Sequence, residues 1–247
     1  MTNVKRSIRN LVRKLGFDVR PYGRGCDPFY DLKFFLNSIP RPTVFDVGAN
    51  IGQSVDHFRE TFSDPIIHSF EPSPTTFEKL STHCHGMPGV KTWNYGVGSR
   101  KATLPFTENI CSDMSSFLEP GQSCWGKVEK VTNVEVVTLD SFVKEQGIEY
   151  VHVLKSDTQG YDFEVFKGAE ELMNEDRIGL IYFEFIFSDM YKNLPPFHEI
   201  FRFLTEHRFS LVSFYKAHFQ QDLVGWTDAL FINASYNRRR LEQSKPA

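Results

Sequence analysis

Four acids follow apolar stretches of strand character, and their placement suggests chemistry. They are Asp46, Glu71, Asp157 and Glu184. The first lies in Val44-Phe45-Asp46-Val47-Gly48-Ala49-Asn50-Ile51-Gly52. The spacing is DxGxxxG rather than the GxGxxG that turns helix N–H groups on a pyrophosphate. A carboxylate beside such a turn repels phosphate and favours a cation. S-adenosylmethionine carries no phosphate and presents an α-ammonium and a sulfonium, so the turn points to that cofactor and away from a nicotinamide dinucleotide. Gly48 and Gly52 admit the close approach of backbone to ligand. Asp46, Gly48, Asn50 and Gly52 are therefore the predicted contacts here. A cap on the following helix is the plainer role for Asp46.

The second acid stands in Ser69-Phe70-Glu71-Pro72-Ser73-Pro74. Glu71 lies about twenty residues beyond Gly52, where nucleotide-binding α/β units place an acid on the ribose hydroxyls. Pro72 ends the strand. Asn94, opening Asn-Tyr-Gly-Val-Gly, offers a donor and an acceptor to an adenine edge, or simply makes a turn. Asp157 and Glu184 follow two later strands that a doubly wound sheet brings side by side. Together they could orient an acceptor hydroxyl, take its proton, or hold a divalent metal such as magnesium. A helix cap for Asp157 and a lysine partner for Glu184 are the plainer alternatives. No compact metal-ligand motif decides the metal question. Asp113, Ser115 and Ser116, in a polar Ser-rich stretch, are candidate contacts to cofactor or acceptor. His57 reads as structural, and no spacing argument selects His218.

Alternating strands and helices must position these residues. Strands are predicted at 43–47, 66–70, 90–95, 151–155, 178–183, 210–214 and 229–232, with helices at 51–62, 75–84, 163–173 and 197–207 between them. This rhythm gives a seven-stranded, mostly parallel Rossmann-like sheet with a late antiparallel strand and helices on both faces. Residues 98–137 break the rhythm with two inserted strands and a polar loop, the length expected of a lid or substrate loop. The division is an N-terminal extension over 1–40, a main domain over 41–235 and a polar tail over 236–247.

Val4, Ile8, Leu11, Val12 and Leu15 fall on one helical face of the extension, with Lys5, Arg6, Arg9, Arg13 and Lys14 around it. Such a helix lies on an anionic membrane surface, or packs on its own domain or a second subunit. The second-subunit reading corresponds to a homodimer. With a net charge of −3, nucleic acid is not the expected partner. No apolar run reaches a membrane span, no secretory h-region is present, and the four cysteines have no CxxC spacing. A cytoplasmic protein, peripheral at the inner membrane face, is the expectation.

The ordered segments VFDVGANIGQSVDHF, HSFEPSPTTFEKL, NYGVGSRKATLPF, SSF, VTLDSF, LKSDTQGYDFEVFKGAEELM and YFEF resemble the FkbM-type S-adenosylmethionine-dependent methyltransferases. The resemblance runs from Thr43 to the final strand. It implies a class I methyltransferase fold and O-methylation of a hydroxyl on a sugar, within a glycolipid, polysaccharide precursor or glycosylated metabolite, or on a non-sugar secondary metabolite. Where the family often has D-x-E-G-x-E, this chain has Asp157, Gln159, Gly160 and Asp162. A cofactor-binding interaction protein without turnover is the rival reading, and the intact set of four acids speaks against it.

Overall fold

The structure, a computed structural model, describes residues 3–17 and 22–243. The chain begins with α1 (Asn3–Lys14) and α2 (Pro28–Phe35), then runs β1 (Thr43–Val47), α3 (Gln53–Thr61), β2 (Ile66–Phe70), α4 (Pro74–His83) and β3 (Val90–Trp93). The insertion supplies β4 (Gly96–Val97), β5 (Ala102–Asn109) and β6 (Val128–Val137). Then come α5 (Leu139–Gln146), β7 (Val151–Ser156), α6 (Asp162–Lys167), α7 (Glu170–Asn174), β8 (Ile178–Ile186), α8 (Phe197–Glu206), β9 (Phe209–Gln220), β10 (Leu223–Asn233) and α9 (Ala234–Gln243).

The main sheet has the order β3-β2-β1-β7-β8-β10-β9. Neighbouring strands are parallel except β10, which is antiparallel to β8 and β9. This is the class I methyltransferase arrangement. Strand order reverses between β1 and β7, and the crevice of such a sheet opens above that point. Phe45, Phe70, Leu154, Ile181 and Phe183 face one helical layer, with Phe142, Phe166 and Leu204 against them. Val44, Ile67, Val153, Leu180 and Leu230 face the other, covered by Leu32, Val55, Phe58 and Leu80. Strands buried on both faces explain the near-continuous apolar runs of the sequence. The insertion forms its own three-stranded sheet, β4-β6-β5.

Three predicted elements differ in detail. The helix expected at 163–173 is two short ones, broken at Gly168, where a Cβ would stand 2.1 Å from the carbonyl oxygen of Gly98. The strands expected at 210–214 and 229–232 are the bases of a far longer hairpin. Its tip places Gln221 and Asp222 at φ 51° and 64°, so a two-residue turn forms without the glycine that usually announces one. The expected tail at 236–247 is helical to Gln243. Tyr236 is buried, its hydroxyl donates to the Phe35 carbonyl at 2.9 Å, and the Arg240 guanidinium lies over the Phe34 and Phe35 rings. The helix predicted near the N-terminus forms as α1, and Ile8, Leu11 and Leu15 along it are exposed.

Register does the decisive work at the switch point. Pairing of β1 with β7 sets Asp46 opposite Lys155, and the carboxylate meets the ammonium at 3.0 Å. Asp46 is fully buried and Lys155 is 5% exposed. The Lys155 Nζ also reaches the Gly48 carbonyl at 3.3 Å and Asp157 at 3.6 Å. Burial raises the pKa of Asp46 against the pull of Lys155. Burial works to lower that of Lys155, and Asp46 and Asp157 outweigh it, so the lysine is held cationic. Removing one member of such a pair strands a charge. Lys155→Met should cost about 3–5 kcal/mol in urea unfolding, with much of it recovered in the Asp46→Leu/Lys155→Met double variant. Equal stability of the wild type and K155M would refute this account of the pair.

Candidate active site

A cleft opens above the carboxyl ends of β1, β2 and β7. Gly48 lines its floor with φ +74°, and a Cβ there would lie 2.0 Å from the Asp157 carbonyl oxygen, so only glycine fits. Glu71 forms one wall. Its two oxygens accept the Asn50 and Ser73 N–H groups at 3.0 and 2.9 Å, which ties the turns after β1 and β2 together. Burial raises its pKa to about 7 despite those bonds. Phe70, Tyr95, Phe106 and Phe117 give the same cleft an apolar, aromatic side. Such a slot, with an acid at its edge, fits an adenosine whose ribose hydroxyls donate to a carboxylate.

The small inserted sheet roofs the cleft. The Ser73 hydroxyl, which caps α4, donates to Glu108 on β5 at 2.6 Å, and Thr132 on β6 donates to the same carboxylate at 2.5 Å. Further along, the Ser116 hydroxyl donates to the Gln159 carbonyl at 2.8 Å. A bridge between Pro120 and Tyr191 fastens the loop that follows.

Of the predicted cofactor residues, Gly48, Asn50, Glu71, Pro72, Asp113 and Ser115 line this cleft; the predicted catalytic Asp157 borders it too. Asp46, Gly52 and Asn94 do not. Asp46 points into the sheet, where Lys155 neutralises it. The carboxylate that the glycine turn was expected to offer a cation is therefore committed elsewhere. Gly52 opens α3 at φ +106° and faces His83. Asn94 donates to the Glu71 and Pro72 carbonyls at 2.9 and 3.1 Å, so its amide nitrogen shapes the wall. His57 is exposed beside Phe29, and His218 lies on β9.

At the edge of the cleft, Asp157 and Glu184 are bridged by Gln159, which the sequence marks only as a departure from the family's Glu. The Gln159 amide nitrogen stands 3.1 Å from Asp157 Oδ1 and 3.4 Å from Glu184 Oε1, and the Tyr191 hydroxyl lies 2.9 Å from its carbonyl oxygen. Asp228 joins from β10, where register sets it opposite Glu184, and it accepts from the Tyr182 hydroxyl at 3.0 Å. Burial, then Asp157 and Asp228, raise the Glu184 pKa well above the carboxylate range and favour its protonated form. Lys155 and Asp228 each interrupt an apolar strand, in VHVLKS and GWTDALFIN, and that interruption is the signal that would have found them. An amide donor between the two carboxylates does not fit a divalent cation. Among the described residues, no three His, Cys, Asp or Glu side chains are placed to hold one.

Comparison with known proteins agrees with this architecture. The methyltransferase sdnD of Sordaria araneosa is 28% identical over 173 residues, covering 58% of this chain and 66% of that protein. The 2-O-methyltransferase NoeI of Sinorhizobium fredii is 23% identical over 185 residues, covering 70% and 74%. The hexuronic acid methyltransferase AglP of Haloferax volcanii is 23% identical over 173 residues, covering 68% and 63%. The chain thus spans roughly two thirds of the length of these relatives. The family model for the methyltransferase FkbM domain matches residues 46–211. This chain belongs to the FkbM methyltransferase family.

Proposed function

We propose that the chain transfers a methyl group from S-adenosylmethionine to a hydroxyl of a sugar-bearing acceptor. One observation carries the reading: Asp157 borders the cleft, and the Gln159 amide links it to Glu184, which register sets opposite Asp228, so donor and acceptor share one wall. Bound in the cleft, the cofactor supplies a methyl group already activated on a sulfonium. The residues have to hold an acceptor oxygen in line and exclude water. Asp157, whose side chain is 44% exposed, is placed to take the hydroxyl proton as the new bond forms. Glu184, favoured in its neutral form, orients the same hydroxyl. Gln159 holds both carboxyl groups by its amide hydrogens. Methylation of a non-sugar hydroxyl is the alternative, and a relative that acts on hexuronic acid supports the sugar.

This reading includes a peripheral position on the cytoplasmic membrane face. Lys5, Arg6, Arg9, Arg13 and Lys14 fall in the first 17 residues with no acid among them, and Ile8, Leu11, Leu15 and Phe17 are exposed. That combination suits an anionic lipid surface. No helix among the described residues is long and apolar enough to cross a membrane.

Three outcomes are expected. With methyl-labelled cofactor and extracts from unmethylated cells, label enters a sugar or glycolipid fraction. Asp157→Asn lowers that transfer roughly 10²–10⁴-fold and Glu184→Gln far less. Label in no fraction, or an unimpaired D157N, would count against the assignment. Next, ribose hydroxyls favour ionised Glu71, so ligand binding releases a proton and affinity rises with pH through about 7. Calorimetry with S-adenosylhomocysteine should read roughly tenfold weaker binding at pH 6 than at pH 8, flattened in Glu71→Gln. Finally, full-length protein should sediment with anionic vesicles and protein truncated at residue 20 should not. Equal sedimentation of the two would remove the membrane role.

A further inference from the structure

Glu184 and Asp228 face each other across β8 and β10, and the next pair on the same side of the ladder is Ile186 with Trp226. Side chains two apart on a strand share a face, so Trp226 stands one step further out from the carboxylates. On β9, His218 pairs with Trp226, and the two rings stack at 4.9 Å with an interplanar angle of 1°. The inserted loop adds a third ring: Trp125 packs at 5.5 Å from Trp226 and is 41% exposed. This loop is held over the ribbon. The Gln220 amide donates to the Ser123 carbonyl at 2.7 Å, and Gly121 N–H donates to the Met190 carbonyl at 2.8 Å. Met114, Met190 and Tyr191 form the apolar base beneath.

Acids gather at the inner end of this wall. Glu184 faces Asp157, Asp228 and Asp162, with Lys155 the cation among its neighbours. Asp228 faces Asp157, Lys155 and His218. The Lys155 ammonium is already shared between Asp46, Asp157 and the Gly48 carbonyl. With Glu184 neutral, Asp157 and Asp228 are the groups that accept from hydroxyl or ammonium donors and repel another carboxylate, while Glu184 shares hydrogen bonds with hydroxyls. Aromatic rings offer an apolar plate to the C–H face of a ring whose edges are polar.

We infer that Trp226, His218 and Trp125 form an acceptor subsite for a neutral or amine-bearing sugar ring, seated on the aromatic wall with its hydroxyls turned to Asp228 and Glu184, and closed to uronates. The inference rests on the sugar reading above and narrows it. The acceptor class differs from the hexuronic acid named for the Haloferax volcanii relative. Selection comes from the strand pair and the loop rather than from the cofactor cleft.

Trp125 and Trp226 are two of the three tryptophans in the chain, so intrinsic fluorescence reports on this wall. Trp93 stacks on His68 at 6.0 Å, in the β2–β3 layer. The test uses full-length protein saturated with S-adenosylhomocysteine on an array of neutral, amino and uronic oligosaccharides. The best-retained glycan is then followed by tryptophan fluorescence. Retention of neutral or amino glycans is expected, with matched uronates at least tenfold weaker. Trp226→Ala should lose at least tenfold in glycan affinity while S-adenosylhomocysteine binds within twofold of wild type. Trp125→Ala, on an exposed loop, gives the same readout if W226A does not fold. Uronates bound as tightly, glycan affinity intact in the folded variants, or no glycan retained would each overturn the inference. Label transfer to a sugar fraction is read separately. If that succeeds while the array result fails, the subsite falls and the proposed activity stands; if label goes only to a non-sugar hydroxyl, both fall.

Discussion

A single buried ion pair between adjacent parallel strands, Asp46 with Lys155, fixes the point from which the whole site is built. Two charges out of water are costly unless geometry is good and further polar contacts complete it. Here the lysine also reaches the Gly48 carbonyl and Asp157, so one ammonium fastens the glycine turn after β1 to the loop after β7. A slip in the register of β7 would turn Lys155 to the opposite, apolar face and leave Asp46 alone. Strand pairing and the shape of the cleft floor are therefore enforced by the same contact.

Neutralising Asp46 changes which charges the ligands meet. The floor beneath the cofactor is balanced, whereas Asp157 and Asp228, with Glu184 neutral between them, leave the acceptor end negative. A donor that arrives cationic and departs without its sulfonium charge is held more firmly before transfer than after it. The loss of that charge on transfer eases release of the spent donor, and it does not by itself lower the barrier to the chemical step. Gln159 tempers it, since an amide between Asp157 and Glu184 supplies hydrogen-bond donors without adding charge.

Much of this was legible in the sequence because apolar runs buried on both faces and glycine turns after them are local signals. The strands at 43–47 and 66–70 match β1 and β2 residue for residue, and Gly48, Asn50, Glu71 and Asp157 reach the cleft. What escaped depends on partners distant in sequence. Asp46 was expected to face a cation; the cation is Lys155, 109 positions later, visible only once β1 and β7 are paired. Asn94 holds the Glu71 turn from behind. Trp226 and Asp228 share a strand whose length was underestimated, because the hairpin turns on Gln221 and Asp222 without a glycine. The break at Gly168 answers to the approach of Gly98 rather than to any helix signal.

The insertion begins and ends at one place. Gly98 donates its N–H to the Val137 carbonyl at 3.0 Å, so the chain leaves the Rossmann-like body and re-enters it one hydrogen bond away. Between those two residues, strands can lengthen and the loop can be rewritten without moving any strand of the main sheet, because closing a longer loop across a fixed gap grows costly only slowly. The roof is in that sense a cassette. A chain built this way can remake the loop side of its acceptor wall by grafting residues 98–137, while the hairpin side, the buried pair and the cofactor floor are inherited unchanged.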